Sequence, residues 1–474
     1  MDRELLITAG PGEWRAALLE ESIPLELFVE RGDRSEAGGI HLGRVVRLLP
    51  ALGAVLVDIG DDRPAFLPHA EVLPRGKRLH EGERVVVQIR REAQGGKAAR
   101  VTMAATLRGR LVELIVGRPG SADGEALLTQ LAPTLTLPRS RGRELEGREP
   151  PADGGSSLPR GNGGGPGWGL RFTQPAPIEE LADEVAALAR RWYDILDRGS
   201  LLDPPVRLDP VASFAAALAR SMPKAPGEIL VDDPAAIPEI RAAFPDSAVA
   251  HRPEADWPIE LDTTFDEALS DTLDLPGGGC VHFEATRAGM LIDVDTGTPE
   301  TGSPERTGLR ADLAAARMIA RQIRLRNLGG GIVVDFVGLD SRSGRDKVRA
   351  ALAEALAPDP AGPQLLGWTR LGHFELVRPR RGRPLAEALL EPRAGGALVK
   401  TAVTVAHEAL HALRRAARAQ PGRQWRLIVA PDVAAALAGP TADAVQQAEQ
   451  RFARSIAIEA NPGCDRERFQ ISWL

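Results

Sequence analysis

Two short apolar runs that each end in acid, Met290-Leu291-Ile292-Asp293-Val294-Asp295 and Gly331-Ile332-Val333-Val334-Asp335-Phe336, set the tightest limit on how this chain folds. Runs rich in Ile and Val, bounded by Gly or polar residues, read as buried strands. Between them, 308–327 is Ala, Leu, Ile and Arg with neither Gly nor Pro in its interior, and Gly329-Gly330-Gly331 closes it as the C-terminus of a helix. A strand, helix, strand order lays the two strands side by side and parallel, so Asp293 and Asp335 arrive at one rim of a sheet. Two converging carboxylates form a hard-oxygen site of the kind that suits Mg²⁺, which keeps several waters and takes one or two protein ligands. An Asp after an apolar run also serves simply to end a strand. Two of them flanking one helix favour the site and leave the other reading open.

At 474 residues the chain is too long for one core and is expected to hold roughly three or four domains. Its net charge of −6 does not announce a nucleic-acid binder, so a polyanion would have to be held by local basic patches. No apolar run approaches the ~20 residues of a membrane span. The opening Met1-Asp2-Arg3-Glu4 is not the basic start of a leader. A soluble protein of the reducing cytoplasm is expected, with no membrane partner. Cys280 and Cys464, far apart on different elements, support neither a disulfide framework nor a cysteine zinc site.

Residues 1–38 alternate as strands do, in a meander too short to bury a core alone and expected to dock on a later segment. From 39 to 105, strand candidates at 40–48, 53–59, 63–67, 83–91 and 98–102 with Gly and Pro turns predict a small barrel. Residues 106–136 are amphipathic, and 139–168, rich in Arg, Glu, Pro and Gly, has the composition of a disordered insertion. Leu181, Val185, Leu188 and Trp192 recur at helical spacing within 178–196. After Pro204, strands and helices alternate through 228–232 to a helix at 265–273. Residues 367–376 read as one last strand of the acidic unit. The tail, 398–474, reads as a small α/β appendage with helices at 399–417 and 442–454 and a strand at 425–430.

His407-Glu408-Ala409-Leu410-His411 matches the His-Glu-x-x-His zinc pattern, in which imidazoles at i and i+4 face one ion. Five residues with two wildcards match often by chance, and no His or Glu stands between His411 and Glu449 to complete the set. The histidines read as packed or surface residues.

Gly43-Arg44-Val45-Val46-Arg47, Ala54-Val55-Leu56-Val57-Asp58-Ile59-Gly60, Ala65-Phe66-Leu67-Pro68 and Gly82-Glu83-Arg84-Val85-Val86-Val87-Gln88-Ile89 resemble, in this order, an S1-type OB-fold domain. Such barrels bind single-stranded nucleic acid with a basic groove and aromatic stacking platforms. Phe66 is the platform candidate, with Arg44, Arg47, Arg91, Lys97 and Arg100 for the phosphates. The competing reading is a core phenylalanine beside a solvated arginine face.

With Arg3-Glu4-Leu5-Leu6-Ile7, Ile292-Asp293-Val294-Asp295-Thr296-Gly297 and the long block Ile319-Ala320-Arg321-Gln322-Ile323-Arg324-Leu325-Arg326-Asn327-Leu328-Gly329-Gly330-Gly331-Ile332-Val333-Val334-Asp335-Phe336, the chain resembles the ribonuclease E/G family of bacterial endoribonucleases. The likeness covers most of the chain outside about 106–168, and the tail looks like that of ribonuclease G-type members. The resemblance implies an α+β multidomain fold. A ribonuclease H-like subdomain is built from 1–38 and 206–276, with the S1 barrel, 39–105, inserted in it. A degenerate 5′-sensor-like region follows at 106–205, then a DNase I-like catalytic subdomain at 277–380, then a linker and appendage at 381–474.

It also implies that Asp293 and Asp335 ligate Mg²⁺, that Asp295 joins them in catalysis, and that the reaction is metal-assisted hydrolysis of phosphodiesters in unpaired, A/U-rich RNA, leaving 5′-phosphate and 3′-hydroxyl ends. Arg321, Arg324 and Arg326 become candidates for phosphate oxygens, with a solvated or ion-paired helix face as the alternative. Arg370 matches an arginine near the family's 5′-monophosphate pocket, the least preserved part, and Arg171 is the candidate for the arginine of the pocket's Arg-Thr pair, although Phe172 follows it and Thr173 comes one place late. Asp295 replaces the usual Asn, which exchanges a hydrogen-bond donor for a second charge. Arg287 and Ala314 replace acids. The family's Cys-x-x-Cys is missing around 380–396, so a homo-oligomer, if formed, is not expected to be zinc-bridged. The alternative of a different class is an RNA-binding relative whose catalysis is weak or lost.

Overall fold

The computed structural model describes residues 3–31, 38–61, 63–91, 93, 98–109, 111–117, 168–172, 177–209, 213–222, 224–297, 304–338, 341–393 and 396–473. Lys97 and, apart from Trp168, the segment 139–168 expected to be an insertion lie outside the described residues. Two compact units are formed, one from Met1–Asp33 with Pro226–Leu474, the other from Arg34–Ala225. The first opens with β1 (Arg3–Ala9), β2 (Glu13–Glu20) and β3 (Ile23–Arg31), an antiparallel meander.

In the unit 34–225, β4 (Ile40–Leu49), β5 (Ala54–Asp58), β6 (Ala65–Pro68), β7 (Arg84–Arg91) and β8 (Arg100–Thr102) pair in the order β4-β5-β6-β8-β7, and β7 returns to β4. This is a closed five-stranded, OB-like barrel. Period-two alternation sends Val45, Val55, Val57, Leu67, Val85, Val87 and Val101 inward. A three-stranded antiparallel sheet follows from β9 (Thr106–Arg108), β10 (Val112–Val116) and β11 (Trp168–Phe172). Helix α1 (Ile178–Leu201) covers it with Leu181, Val185, Leu188 and Trp192, the residues whose spacing predicts the helix. Strand β12 (Val206–Arg207) pairs with β4, and α2 (Phe214–Ser221) follows.

On return to the first unit, β13 (Glu228–Val231) pairs in parallel with β1, and β14 (Ala248–His251) with β13, so the opening meander gains its core from a segment far along the chain. Helices α3 (Ile237–Ala243) and α4 (Leu261–Leu269) follow. The helix expected at 265–273 thus ends earlier, and its last residues belong to a strand.

That strand, β15 (Thr272–Asp274), begins the acidic sheet. β16 (Cys280–Ala285), β17 (Met290–Asp295), α5 (Pro304–Leu325), β18 (Gly330–Asp335), α6 (Arg342–Leu356), β19 (Gln364–Trp368) and β20 (Phe374–Arg378) complete it in the order β15-β16-β17-β18-β20-β19. Only β17 and β18, joined by α5, are parallel in this sheet. Residues 367–376, expected as one strand, form instead a hairpin that turns at Gly372, whose φ of +98° suits glycine. Ala315, Ala316, Ile319 and Ile323 of α5 and Val348, Leu352 and Leu356 of α6 bury one face of the sheet.

Beyond it lie α7 (Leu385–Leu389), β21 (Leu390–Pro392), β22 (Leu398–Lys400), α8 (Ala402–Ala419), β23 (Trp425–Val429), α9 (Pro431–Ala438), α10 (Ala442–Phe452), β24 (Ala457–Ala460) and β25 (Gln470–Trp473). Among the described residues no helix is long and apolar enough to cross a membrane.

Candidate active site

Asp293 of β17 and Asp335 of β18 are direct cross-strand partners. Ile292, Val294, Ile332 and Val334 are buried under the helices, so alternation turns Asp293, Asp295 and Asp335 to the opposite face, where all three are exposed. Neighbouring strands add to this face. His282 pairs with Asp293 and Cys280 with Asp295, while His373, just before β20, brings Nε2 to 3.6 Å from Asp335 Oδ2.

Hydrogen bonds fix the His282 ring. Thr272 Oγ1 donates to Asp271 Oδ1 at 3.1 Å and lies 2.9 Å from His282 Nδ1, so it accepts from Nδ1–H. That leaves Nε2 to accept from the Cys280 thiol, 3.2 Å away. Burial, then the negative charges of Asp295, Asp274 and Asp293, push that thiol up from its usual value and keep it protonated. Asp295 Oδ1 accepts from Gly297 N–H at 2.8 Å and so shapes the turn after β17.

The pair Asp293 and Asp335 offers two adjacent, solvent-open carboxylates, the donor type Mg²⁺ takes while water fills its remaining positions. Among the described residues no group of three or more His, Cys, Asp and Glu side chains is gathered to hold an ion, so two carboxylates are the donor set on offer.

Arg321, Arg324 and Arg326, expected near these acids, lie elsewhere. Helix α5 passes the acidic rim at Asp312, its ninth residue, which accepts from Val337 N–H just past β18, and at ~1.5 Å per residue its last turn lies roughly 14–20 Å further along. There Arg321 Nε donates to Pro24 O at 3.1 Å, and buried Arg324 Nε to Glu26 Oε1 at 2.6 Å. Arg326 stacks over Phe283 at 4.2 Å and donates to Gln322 and Ser270. Arg324 and Arg326 are buried fasteners that tie the helix end to the rest of the unit, while Arg321 is exposed and is bound there through Nε.

The rim holds other arginines. Arg370 stands exposed in the β19–β20 hairpin, three residues before the His373 that approaches Asp335. Arg310, near the start of α5, lies over Gly277. Of the three departures from the family pattern, only Asp295 is at this rim. Arg287 is in the turn at the far end of β17, and Ala314 is half-buried on α5. His282, His373, Cys280 and Arg310 were missed from sequence. The alternation that turns Asp293 outward also turns His282 and Cys280 outward, but only once the register of β16 is known.

In the barrel unit, the pairings Arg47↔Leu56, Leu56↔Phe66, Phe66↔Arg100 and Arg100↔Arg91 place four of the candidates in one row across the strands. Phe66 is half-buried and the arginines are exposed. Arg44 falls outside the row, opposite Asp58 and Arg84. Arg171 is paired with Glu113 at 3.1 Å, and Arg108 holds the other oxygen of the same carboxylate at 3.1 Å. Two guanidiniums thus share one carboxylate, a net positive charge remains, and the Arg171 side chain is 62% exposed.

The histidines of the His-Glu-x-x-His segment are buried in α8. His411 Nε2 is 3.6 Å from Glu13 Oε1, and Glu408 pairs with Lys400 at 2.8 Å and with Arg15 at 3.7 Å. Burial and the Arg15 charge hold His411 well below the ordinary imidazole value. Crowding by guanidiniums suits a packed, neutral pair.

A closed OB-like barrel of a type that binds single strands, together with a six-stranded mixed sheet that carries an open carboxylate pair, defines the class, a mixed α+β protein. The sequence model of the Ribonuclease E/G family matches residues 172–381. Across 100% of both chains, this chain is 26% identical to Ribonuclease G of Escherichia coli (strain K12) and 25% identical to Ribonuclease G of Salmonella typhimurium (strain SL1344). It is 30% identical to Ribonuclease E of a Nostoc species over 80% of its own length and 57% of that protein's. The chain belongs to the ribonuclease E/G family.

Proposed function

We propose that this chain is an endoribonuclease that hydrolyses phosphodiester bonds in single-stranded, A/U-rich RNA with Mg²⁺ held by Asp293 and Asp335. The observation that carries the reading is the direct register of these two carboxylates at one open rim. When bound, the ion lowers the pKa of a water, orients it and offsets charge on the phosphoryl oxygens. The protein's part is to fix the two carboxylates side by side on a rigid sheet, to keep them solvent-open, and to offer Arg370 and Arg310 at the same rim for the phosphates on either side of the scissile bond. In the barrel unit, the row of Arg47, Phe66, Arg100 and Arg91 supplies charge for the backbone and a ring for a base. In this reading the five-stranded sheet of the first unit belongs to the ribonuclease H-like subdomain implied by the family and the six-stranded acidic sheet to the DNase I-like one.

Asp295 favours a second reading, an RNA-binding relative with weak catalysis. It adds a third charge beside the pair and donates no hydrogen bond, and one of its oxygens is taken by its own turn. An end-labelled A/U-rich strand, free and annealed to its complement, separates the two readings. Mg²⁺-dependent cuts confined to the free strand, with 5′-phosphate ends, support the nuclease. Binding without cuts in both Mg²⁺ and Mn²⁺ replaces it with the second reading.

A further inference from the structure

One buried carboxyl near the rim remains unexplained. Asp312 on α5 is 0% exposed. Its Oδ1 accepts from Val337 N–H at 2.9 Å, and its Oδ2 has no hydrogen-bond partner among the described residues. A buried polar atom left unpaired costs stability, and its place in a native structure calls for a reason. Val337 is two residues past Asp335, where β18 has left the sheet and no ladder bond is available to its amide. Phe336, between them, is fixed by its ring against Trp368 at 5.7 Å and Phe374 at 6.4 Å. Gly308, one helical turn before Asp312, lies against the same residue, since a Cβ there would stand in ordinary contact 3.4 Å from Val337 Cγ1. The strand end that carries Asp335 is therefore held on one side by an aromatic cluster and on the other by Asp312.

We propose that Asp312 is a positioning residue for Asp335, fixing through the Val337 amide the backbone that aims this carboxylate at the ion. The inference rests on the reading of Asp293 and Asp335 as the metal pair. A carboxylate aimed by a single backbone anchor must lose alignment when the anchor goes, and any group that keeps the acceptor must restore it. Burial pushes the Asp312 pKa up to about 7 against the opposing pull of the Val337 amide.

The test uses the full chain and two variants. Asp312→Asn keeps an oxygen acceptor, and Asp312→Leu fills the same space without one. Mn²⁺ binding to the RNA-free protein is read from the electron paramagnetic resonance of the free ion, and kcat and KM from cleavage of an A/U-rich strand. Asp312→Leu is expected to weaken Mn²⁺ binding and lower kcat by about tenfold or more with KM unchanged, and Asp312→Asn to return both to within about twofold.

Unchanged Mn²⁺ affinity and kcat in Asp312→Leu would overturn the proposal, as would an Asp312→Asn as impaired as the leucine variant. Should the leucine variant not fold, Asp312→Ala, smaller and equally without an acceptor, takes its place, and Mn²⁺ affinity and kcat within about twofold of the wild type there overturn the proposal. A wild type that binds Mn²⁺ but cuts nothing fails the nuclease reading and leaves the Mn²⁺ comparison to decide on Asp312. A wild type that binds no Mn²⁺ overturns both.

Discussion

Arg324 is 7% exposed and sits 2.6 Å from Glu26, which makes it a fastener between helix and sheet. Replacing it by Ala leaves a carboxylate without its partner, at a cost of about 2–3 kcal/mol. Arg324→Ala is therefore expected to lower the thermal midpoint and leave RNA affinity unaltered. Weakened RNA binding in a protein of unchanged stability would return Arg324 to the RNA-binding residues. The same contrast explains what was legible at this scale. Asp293 and Asp335 could be read because each ends an apolar run whose alternation is complete within six residues. Arg321, Arg324 and Arg326 could not be placed, because a helix sequence gives a face but not the partner, here β3, that covers it. Nor could His373 be linked to Asp335, because their proximity depends on β20 lying next to β18 and not on spacing.

Strand ends are set by what the next turn allows. Gly277, Gly278 and Gly279 all have φ near +90°, and a Cβ on Gly279 would stand 2.1 Å from the carbonyl oxygen of Asp295. Gly279→Ala must shift the end of β17, so cleavage is expected to fall about tenfold or more while the fold and barrel-dependent RNA binding persist. Undiminished cleavage would show that the site tolerates movement of this strand. In the barrel, Phe66→Ala removes the ring from the row of Arg47, Arg100 and Arg91, and stacking worth about 1–3 kcal/mol per base translates to roughly 5- to 100-fold weaker binding of a single strand. An unchanged dissociation constant would make Phe66 a packing residue. The βαβ unit and the barrel were readable as elements because each carries its own period and its own turn glycines. The β19–β20 hairpin was not, because two short strands separated by five residues look like one run until the left-handed φ of Gly372 is seen.

The tail from α8 onward shares a compact unit with the opening meander. Gly10 is so close to His411 that a Cβ would stand 2.2 Å from the ring, and Arg414 joins Thr8, Asp232 and Glu254. Composition and periodicity present the tail as an appendage, since they carry no record of contacts between the ends of a chain. This junction also governs acid stability. Burial alone would raise Glu13 and Asp232, but Arg15 and Arg31 around the one and Arg414 against the other outweigh it and hold both carboxyls below the usual range. Their contribution is present above the unfolded carboxyl pKa of about 4 and is lost as pH falls through their folded values. Burial keeps His407 and His411 neutral, so below the unfolded imidazole pKa of about 6.5 the unfolded chain takes up protons the folded one does not. Urea midpoints are expected to fall as pH drops below about 6.5 and more steeply below about 4. A flat profile from pH 7 to pH 4 would contradict this account of the junction.

The central claim is that Asp293 and Asp335 jointly make this chain a metal-dependent endoribonuclease. It is met most directly by titrating Mg²⁺ into cleavage reactions on an end-labelled A/U-rich strand with the wild type, Asp293→Asn and Asp335→Asn, and measuring RNA affinity in parallel. The expected result is Mg²⁺-dependent cutting by the wild type that falls about a thousandfold or more in each variant while RNA affinity holds. Cutting that persists in either variant at the wild-type Mg²⁺ midpoint would contradict it.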